Sequence, residues 1–408
     1  MHPAERVARE SYGKLVAWLA ASSRDVAAAE DALADAFAAA LGTWPTRGVP
    51  DNPEGWLYAA AKRRLIDAAR HRAVVRDAEP RVAAAAEEID EAMRENADIP
   101  DRRLGLLFAC AHPAIDPGVR TALMLQTVLG FNADRIAAAF MVEPQAMGQR
   151  LVRAKRKIRD AGVGFEIPAS EDWPTRIGPV LDAIYAAYAE GWRDADGSEG
   201  AHREFAEEAI WLGRVLVRAA PQDAEAMGLL ALMLHLEARK AARRDASGAY
   251  VPLKKQDVSR WNEALIQEAE TLLFRAAGLR SIGRFQLEAA IQSAHAARRR
   301  SGVTDWKAIV GLYDALATMT ASPVVLLNRA AAVAETGDAA AALEACDALS
   351  GALGDYQPWW ALRAHLLDVL GRGSEARAAY AEAIAREHDP AVMKFLAEKA
   401  AGGAATVE

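Results

Sequence analysis

The chain is 408 residues long, with 52% hydrophobic residues and a formal net charge of −7 from 49 basic and 56 acidic side chains. At ~100–200 residues per domain this length implies two to four domains, and the alanine-rich composition favours an all-α protein. The acidic balance excludes indiscriminate coating of nucleic acid, so any DNA contact must come from locally polarised surfaces. Two distant cysteines, Cys110 and Cys346, exclude a disulfide framework and a thiolate zinc site.

At the N-terminus Glu5, Arg9, Glu10 and Lys14 interrupt any apolar run. No stretch approaches the ~20 apolar residues of a membrane span, so a cytoplasmic protein without membrane contact is expected. Residues 5–72 read as a first helical block punctuated by Pro45, Pro50 and Pro53. Val26, Leu33, Phe37 and Leu41 line one side of a helix, and Asp31 and Asp35, one turn apart, point to the other. That acidic stripe can dock a basic partner helix, although taken by itself an ordinary solvated face is the plainer reading. After Asp51-Asn52-Pro53, a second helix carries Leu57, Ala61, Leu65 and Ala68 inward. Trp56, Arg63, Asp67 and Arg70 share its outward side, with Lys62, Arg64 and Arg72 nearby. Rings beside guanidinium groups suit single-stranded DNA; Trp56 closing a small core against Trp44 fits as well.

Residues 73–98 form an alanine-rich connector ending in Glu87, Glu88, Asp90, Glu91, Glu95 and Asp98, which reads as a solvated acidic tether. Residues 99–163 contain two helices, Asn132–Val142 and Glu143–Ala161, separated by a tight break. Glu143-Pro144 suits a turn passing into a first helical position. Met147, Leu151, Ala154 and Ile158 form one apolar stripe at helical period, opposed by Gln145, Gln149, Val152 and Arg156 with Arg153 beside them. From Asp134 to Asp160, seven cations face three anions, a basic segment inside an acidic chain. Glutamines leading and a basic tail following fit a helix-turn-helix whose second helix reads bases with its N-terminal residues. Glutamine pairs with adenine edges, arginine with guanine or phosphate.

Residues 164–408 read as a long helical region, entered past Pro168 and Pro174. Near 323–390 a repeat emerges: Gly337 and Gly371 are 34 residues apart, Ala342/Ala376 and Cys346/Tyr380 keep that offset, and Trp360 precedes Gly371 by eleven. This is the tetratricopeptide spacing. Two such units are fewer than independent stability requires, so stacking on the preceding helices is expected. Cys110 and His112 lack a second pair to complete a metal site, which favours packing roles. No Ser/His/Asp or Cys/His set and no phosphate-cradling glycine loop can be read. No enzyme, catalytic residue, metal or cofactor is therefore expected.

Taken together, the first three blocks resemble a bacterial extracytoplasmic-function (ECF) sigma factor, over about Tyr12 to Ala161. Ala29-Glu30-Asp31-Ala32-Leu33-Ala34-Asp35-Ala36-Phe37 is similar to the region 2 helix that docks on the polymerase β′ coiled coil. Pro53-Glu54-Gly55-Trp56-Leu57 through Arg63-Arg64-Leu65-Ile66-Asp67 and Arg70 is similar to the −10-element segment, although Arg63 stands where members often carry asparagine. Ile136-Ala137 through Met147, then Arg150-Leu151-Val152-Arg153-Ala154-Lys155, is similar to the region 4 helix-turn-helix. The resemblance implies core RNA polymerase (β′ coiled coil and β flap) and promoter DNA as partners. It implies docking through Glu30, Asp31 and Asp35, and −10 contacts from Trp56, Lys62, Arg63, Asp67 and Arg70. The −35 contacts it implies come from Gln145, Ala146, Gln149, Arg150, Arg153, Lys155, Arg156 and Lys157.

The remainder resembles one subgroup with a long tetratricopeptide-like extension. Its signatures are similar to Leu107-Phe108-Ala109-Cys110-Ala111-His112-Pro113, Glu190-Gly191, Gln256-Asp257-Val258-Ser259-Arg260-Trp261 and Ser322-Pro323-Val324-Val325-Leu326-Leu327-Asn328-Arg329-Ala330. That extension is expected to regulate through an intramolecular or peptide partner. Two rivals stand beside this reading: a stand-alone helix-turn-helix regulator, and a tetratricopeptide scaffold that does not bind DNA.

Overall fold

The structure is a computed structural model that describes residues 3–71, 102–140, 142–165, 167–168, 170–193 and 203–402. Among these the chain is all-α, and the only strand-like pairing is an isolated antiparallel bridge between Arg244 and Tyr250. The acidic connector lies outside the described residues. The molecule divides into two compact units, Met1–Glu190 and Gly191–Glu408. Both helical blocks read from the sequence fall in the first unit, which runs on through residue 164 to Glu190.

The first unit begins with α1 (Pro3–Ser23), α2 (Val26–Arg47) and α3 (Pro53–His71). Asp25 caps α2 by accepting from Ala28 N–H, and Asn52 opens α3 by accepting from Gly55 N–H. Pro45 does not break α2, which runs on to Arg47. Trp18, Leu33 and Leu57, all fully buried, form the heart of this bundle, whereas Leu41, expected inside, is 47% exposed. Four helices follow: α4 (Arg103–Cys110), α5 (Pro117–Thr127), α6 (Ala133–Ala139) and α7 (Pro144–Asp160). Asn132 caps α6 through Arg135 N–H, which makes that helix shorter than the sequence pattern suggested. The last helix to begin in this unit is α8 (Trp173–Arg193), whose first ring packs on Phe108 with centroids 4.8 Å apart.

The second unit continues through α9 (Arg203–Ala219), α10 (Ala224–Ala238), α11 (Glu263–Gly278), α12 (Arg284–Ala296) and α13 (Trp306–Thr320). The buried helix α10 is apolar almost all round, as a central helix should be. The Gln256–Trp261 segment is a structural tie. Asp257 accepts from Ser259, Trp261 is buried, and Arg298 lies over its ring while donating to the carbonyls of Leu253, Lys254 and Gln256.

Helices α14 (Pro323–Glu335), α15 (Ala339–Asp347), α16 (Gln357–Val369), α17 (Gly373–Ala385) and α18 (Pro390–Gly402) complete the chain. Gly337 and Gly371, at φ 102° and 76°, make the left-handed turns inside the α14–α15 and α16–α17 hairpins. Ala342, Cys346, Ala376 and Tyr380 are all buried where those hairpins pack. The aromatic that fills between them is Trp359 more than its neighbour. Trp359 is 4% exposed and donates to Cys346 O at 2.7 Å, while half-buried Trp360 donates to Gly354 O.

Candidate nucleic-acid and polymerase interface

Helix α7 starts at Pro144, where a missing N–H costs nothing. Its apolar stripe folds as read: Met147, Leu151, Ala154 and Ile158 are buried. Gln145, Ala146, Gln149, Arg150, Arg153, Arg156 and Lys157 are exposed, so seven of the eight residues assigned to the −35 element share an open surface. They divide further. Gln145, Gln149, Val152 and Arg156 face directly away from the core. Arg150, Arg153 and Lys157 instead flank a cleft of about 480 Å³ bounded by Ala114, Ile115, Asp116, Gly118 and Val119. Arg153 folds back along the helix, its Nε 3.3 Å from Gln149 O.

Lys155 is the exception. At about 100° per residue it lies only some 40° from Leu151, on the margin of the buried stripe. Its Nζ sits 2.5 Å from Glu30 Oε2, with side-chain exposures of 9% and 15%. In this structure Lys155 and Glu30 therefore pair with one another where α2 meets α7, and neither shares the open surface of the other residues assigned to DNA or polymerase. Nearby, Arg159 Nη1 is 3.6 Å from Asp25 Oδ2. Burial raises the Glu30 carboxyl above its usual range, against the pull of Lys155. Its Oε1 has no hydrogen-bond partner among the described residues. Burial, with Glu30 and Asp31 adding to it, likewise raises the phenol of Tyr12.

A second contact, between α1 and the end of α5, is made through backbone. A Cβ placed on Gly13 of α1 would come 1.9 Å from Val128 O, beyond the end of α5, and 3.3 Å from Arg103 Cδ. The Arg102 guanidinium lies 4.0 Å from the centre of the Trp18 ring. No periodicity announced this contact. Gly13 reads simply as a weak helix residue.

On α2, Asp31 and Asp35 are exposed, but Asp35 reaches Arg64 of α3 at 2.5 Å. On α3, Arg63 and Asp67 are exposed and Lys62 is half-buried. The Arg70 side chain lies outside the description. Trp56 is half-buried, its ring edge-on to Trp44 at 5.6 Å, so it is a packing residue in this state. Cys110 is fully buried 3.5 Å from Thr127 Oγ1, and its thiol is pushed up to about 12 chiefly by burial. His112 lies at the surface margin, accepting from Ala114 N–H. Among the described residues no group of three or more His, Cys, Asp or Glu could hold a metal, and no helix is long and apolar enough to cross a membrane.

Residues 8–74 match the sigma-70 region 2 family, and residues 176–277 match a family of unknown function, DUF6596. The match to region 2 covers the first three helices and supports a sigma-factor-like role in promoter recognition. An uncharacterised protein of Rhizobium meliloti (strain 1021) is 38% identical over 371 residues, covering 89% of this chain and 86% of the relative. The chain belongs to the same family as that protein. No solved structure matches.

Proposed function

We propose that this protein is an ECF-type sigma factor that binds core RNA polymerase and directs it to promoters, carrying a tetratricopeptide-like C-terminal extension as a regulator. The observation that carries the reading is a region 2 domain followed, in the same unit, by a short capped helix, a tight turn and a helix with an exposed Gln/Arg face. On this account α6–α7 is the region 4 helix-turn-helix. Gln145 and Gln149 meet base edges of the −35 element, and Arg150, Arg153, Arg156 and Lys157 meet phosphates. Lys62, Arg63 and Asp67 face the −10 element, and Trp56 joins them only by leaving Trp44. The work is binding, with no covalent chemistry in this chain.

Asp31 and Asp35 are exposed carboxylates of α2, Asp35 paired with Arg64 of α3, and are the proposed polymerase contacts. Exposed charges of this kind stabilise a fold by at most about 1 kcal/mol. Reversing both to lysine should therefore abolish capture of core polymerase while helicity and thermal unfolding stay unchanged. Wild-type affinity in the double variant would move the docking surface elsewhere.

A further inference from the structure

We propose that the second unit carries a face of its own for the phosphate backbone of duplex DNA, built from the connection between α10 and α11 and from the arginines that follow α12. The face lies outside both sites assigned above. Between Arg239 and Arg260 seven cations meet only Asp245 and Asp257, and Arg298, Arg299 and Arg300 form a run without a carboxylate. The fold brings these stretches together. Arg298 donates to the carbonyls of Leu253, Lys254 and Gln256, and Arg260 donates to Arg244 O at 2.8 Å. Carboxylates from elsewhere offset part of this charge: Glu237 pairs with Lys240, Glu335 with Lys254, Asp389 with Arg244 and Glu263 with Arg299. Set against these four and the two aspartates, the ten cations keep an excess of four, as large as that of the basic segment holding α7. Lys254, Lys255, Arg260 and Arg300 are all exposed.

What covers such a face follows from what it lacks. A protein partner needs an apolar or aromatic anchor at the centre of its contact. No large hydrophobic side chain of residues 239–260 or 298–300 is exposed. Single-stranded bases need an open ring to stack on. Tyr250 instead packs edge-on to Phe395 at 5.4 Å, and Trp261 is buried beneath Arg298. Phosphates need only positive charge held in place. The Arg298 clasp does the holding, because it fixes the backbone that bears Lys254 and Lys255. The contact is therefore to duplex backbone and independent of sequence. The choice of DNA over RNA rests on the region 2 match, which ties the chain to promoters.

Lys255→Gln combined with Arg300→Gln removes two exposed charges that take no part in the clasp. The full-length protein is titrated with a promoter-free DNA duplex over a range of salt, followed by fluorescence anisotropy. Each lost phosphate contact lowers the slope of log affinity against log salt by about 0.9, so the double variant should lose about 2 in slope and about 60-fold in affinity near 0.1 M salt. Arg377→Gln, an exposed charge outside the face, should change neither. A photo-crosslinker on Ala246→Cys, in the exposed turn between Arg244 and Tyr250, should attach to the duplex, and both native cysteines are buried. An unchanged slope in the double variant overturns the proposal, as does binding without a crosslink from Ala246→Cys. An unchanged slope with weaker capture of core polymerase would assign the face to an acidic protein surface instead. Tighter binding of an RNA duplex of equal length would overturn the choice of DNA. Because neither promoter nor polymerase is present in the titration, its failure leaves the sigma-factor reading standing, and that reading fails only by transcription.

Discussion

Replacing Lys155 by methionine tests the Glu30–Lys155 contact between α2 and α7 through its pH dependence. Methionine keeps the aliphatic stem, so the change removes one charge from a nearly buried pair. Breaking such a pair costs about 3–5 kcal/mol, because the remaining ion stays desolvated. The side-chain exposures of 9% and 15% and the open solvent margin favour the lower end, about 3 kcal/mol at pH 7. The sign follows from Glu30, whose carboxyl is already raised by burial and loses its lowering partner in the variant. A raised carboxyl favours the packed contact fully below its ordinary value of about 4.3, where it is protonated whether packed or separated. That contribution is lost as pH climbs through the raised value. The deficit of the variant should therefore be about 3 kcal/mol near pH 7 and shrink towards zero near pH 4. The assay is the urea midpoint for separation of α2 from α7, followed by energy transfer across pH 4–7. A deficit of equal size at both ends of that range would mean that packing, and not the Glu30 charge, holds the contact.

Three further outcomes are expected. Gln145→Ala or Gln149→Ala should relax base preference at one or two −35 positions by about 1–3 kcal/mol, whereas Lys157→Ala should weaken all promoters alike and flatten the salt dependence; equal, sequence-independent losses in binding profiles would refute that division. Trp359→Ala should cost about 3–5 kcal/mol and unfold the final hairpins, seen as a new low-temperature transition in calorimetry, because a buried ring and its bond to Cys346 O are lost together. Cys110 and Cys346, both buried and with thiols pushed up to about 12, should resist alkylation at pH 8 until the protein is denatured; rapid native-state labelling of Cys110 would contradict its packing.

Periodicity carried the parts of this structure that a single helix decides. The stripe from Met147 to Ile158 and the opposed glutamines were legible because a helix face depends on spacing alone. The 34-residue offset of Gly337 and Gly371 was legible because each turn needs a left-handed residue. What escaped was decided by contacts between distant segments. Lys155 looks like one more cation in a basic run, and its partner lies 125 residues away. Trp56 suits a base or a neighbouring ring equally well, and only the fold brings Trp44 to it. Gly13 matters because of a carbonyl beyond the end of another helix. The signature segment Gln256–Trp261 resolves into capping, ring burial and an arginine clasp, which accounts for its residues by packing.

The central claim, that this chain confers promoter specificity, is tested most directly by transcription in vitro from the promoters of its own genome with purified core polymerase, with and without the full-length protein. The account predicts defined start sites that appear only when the protein is present and shift when Gln149 is changed. Transcription that is unchanged by adding the protein, alongside tight duplex binding without polymerase, would contradict it and favour a stand-alone regulator.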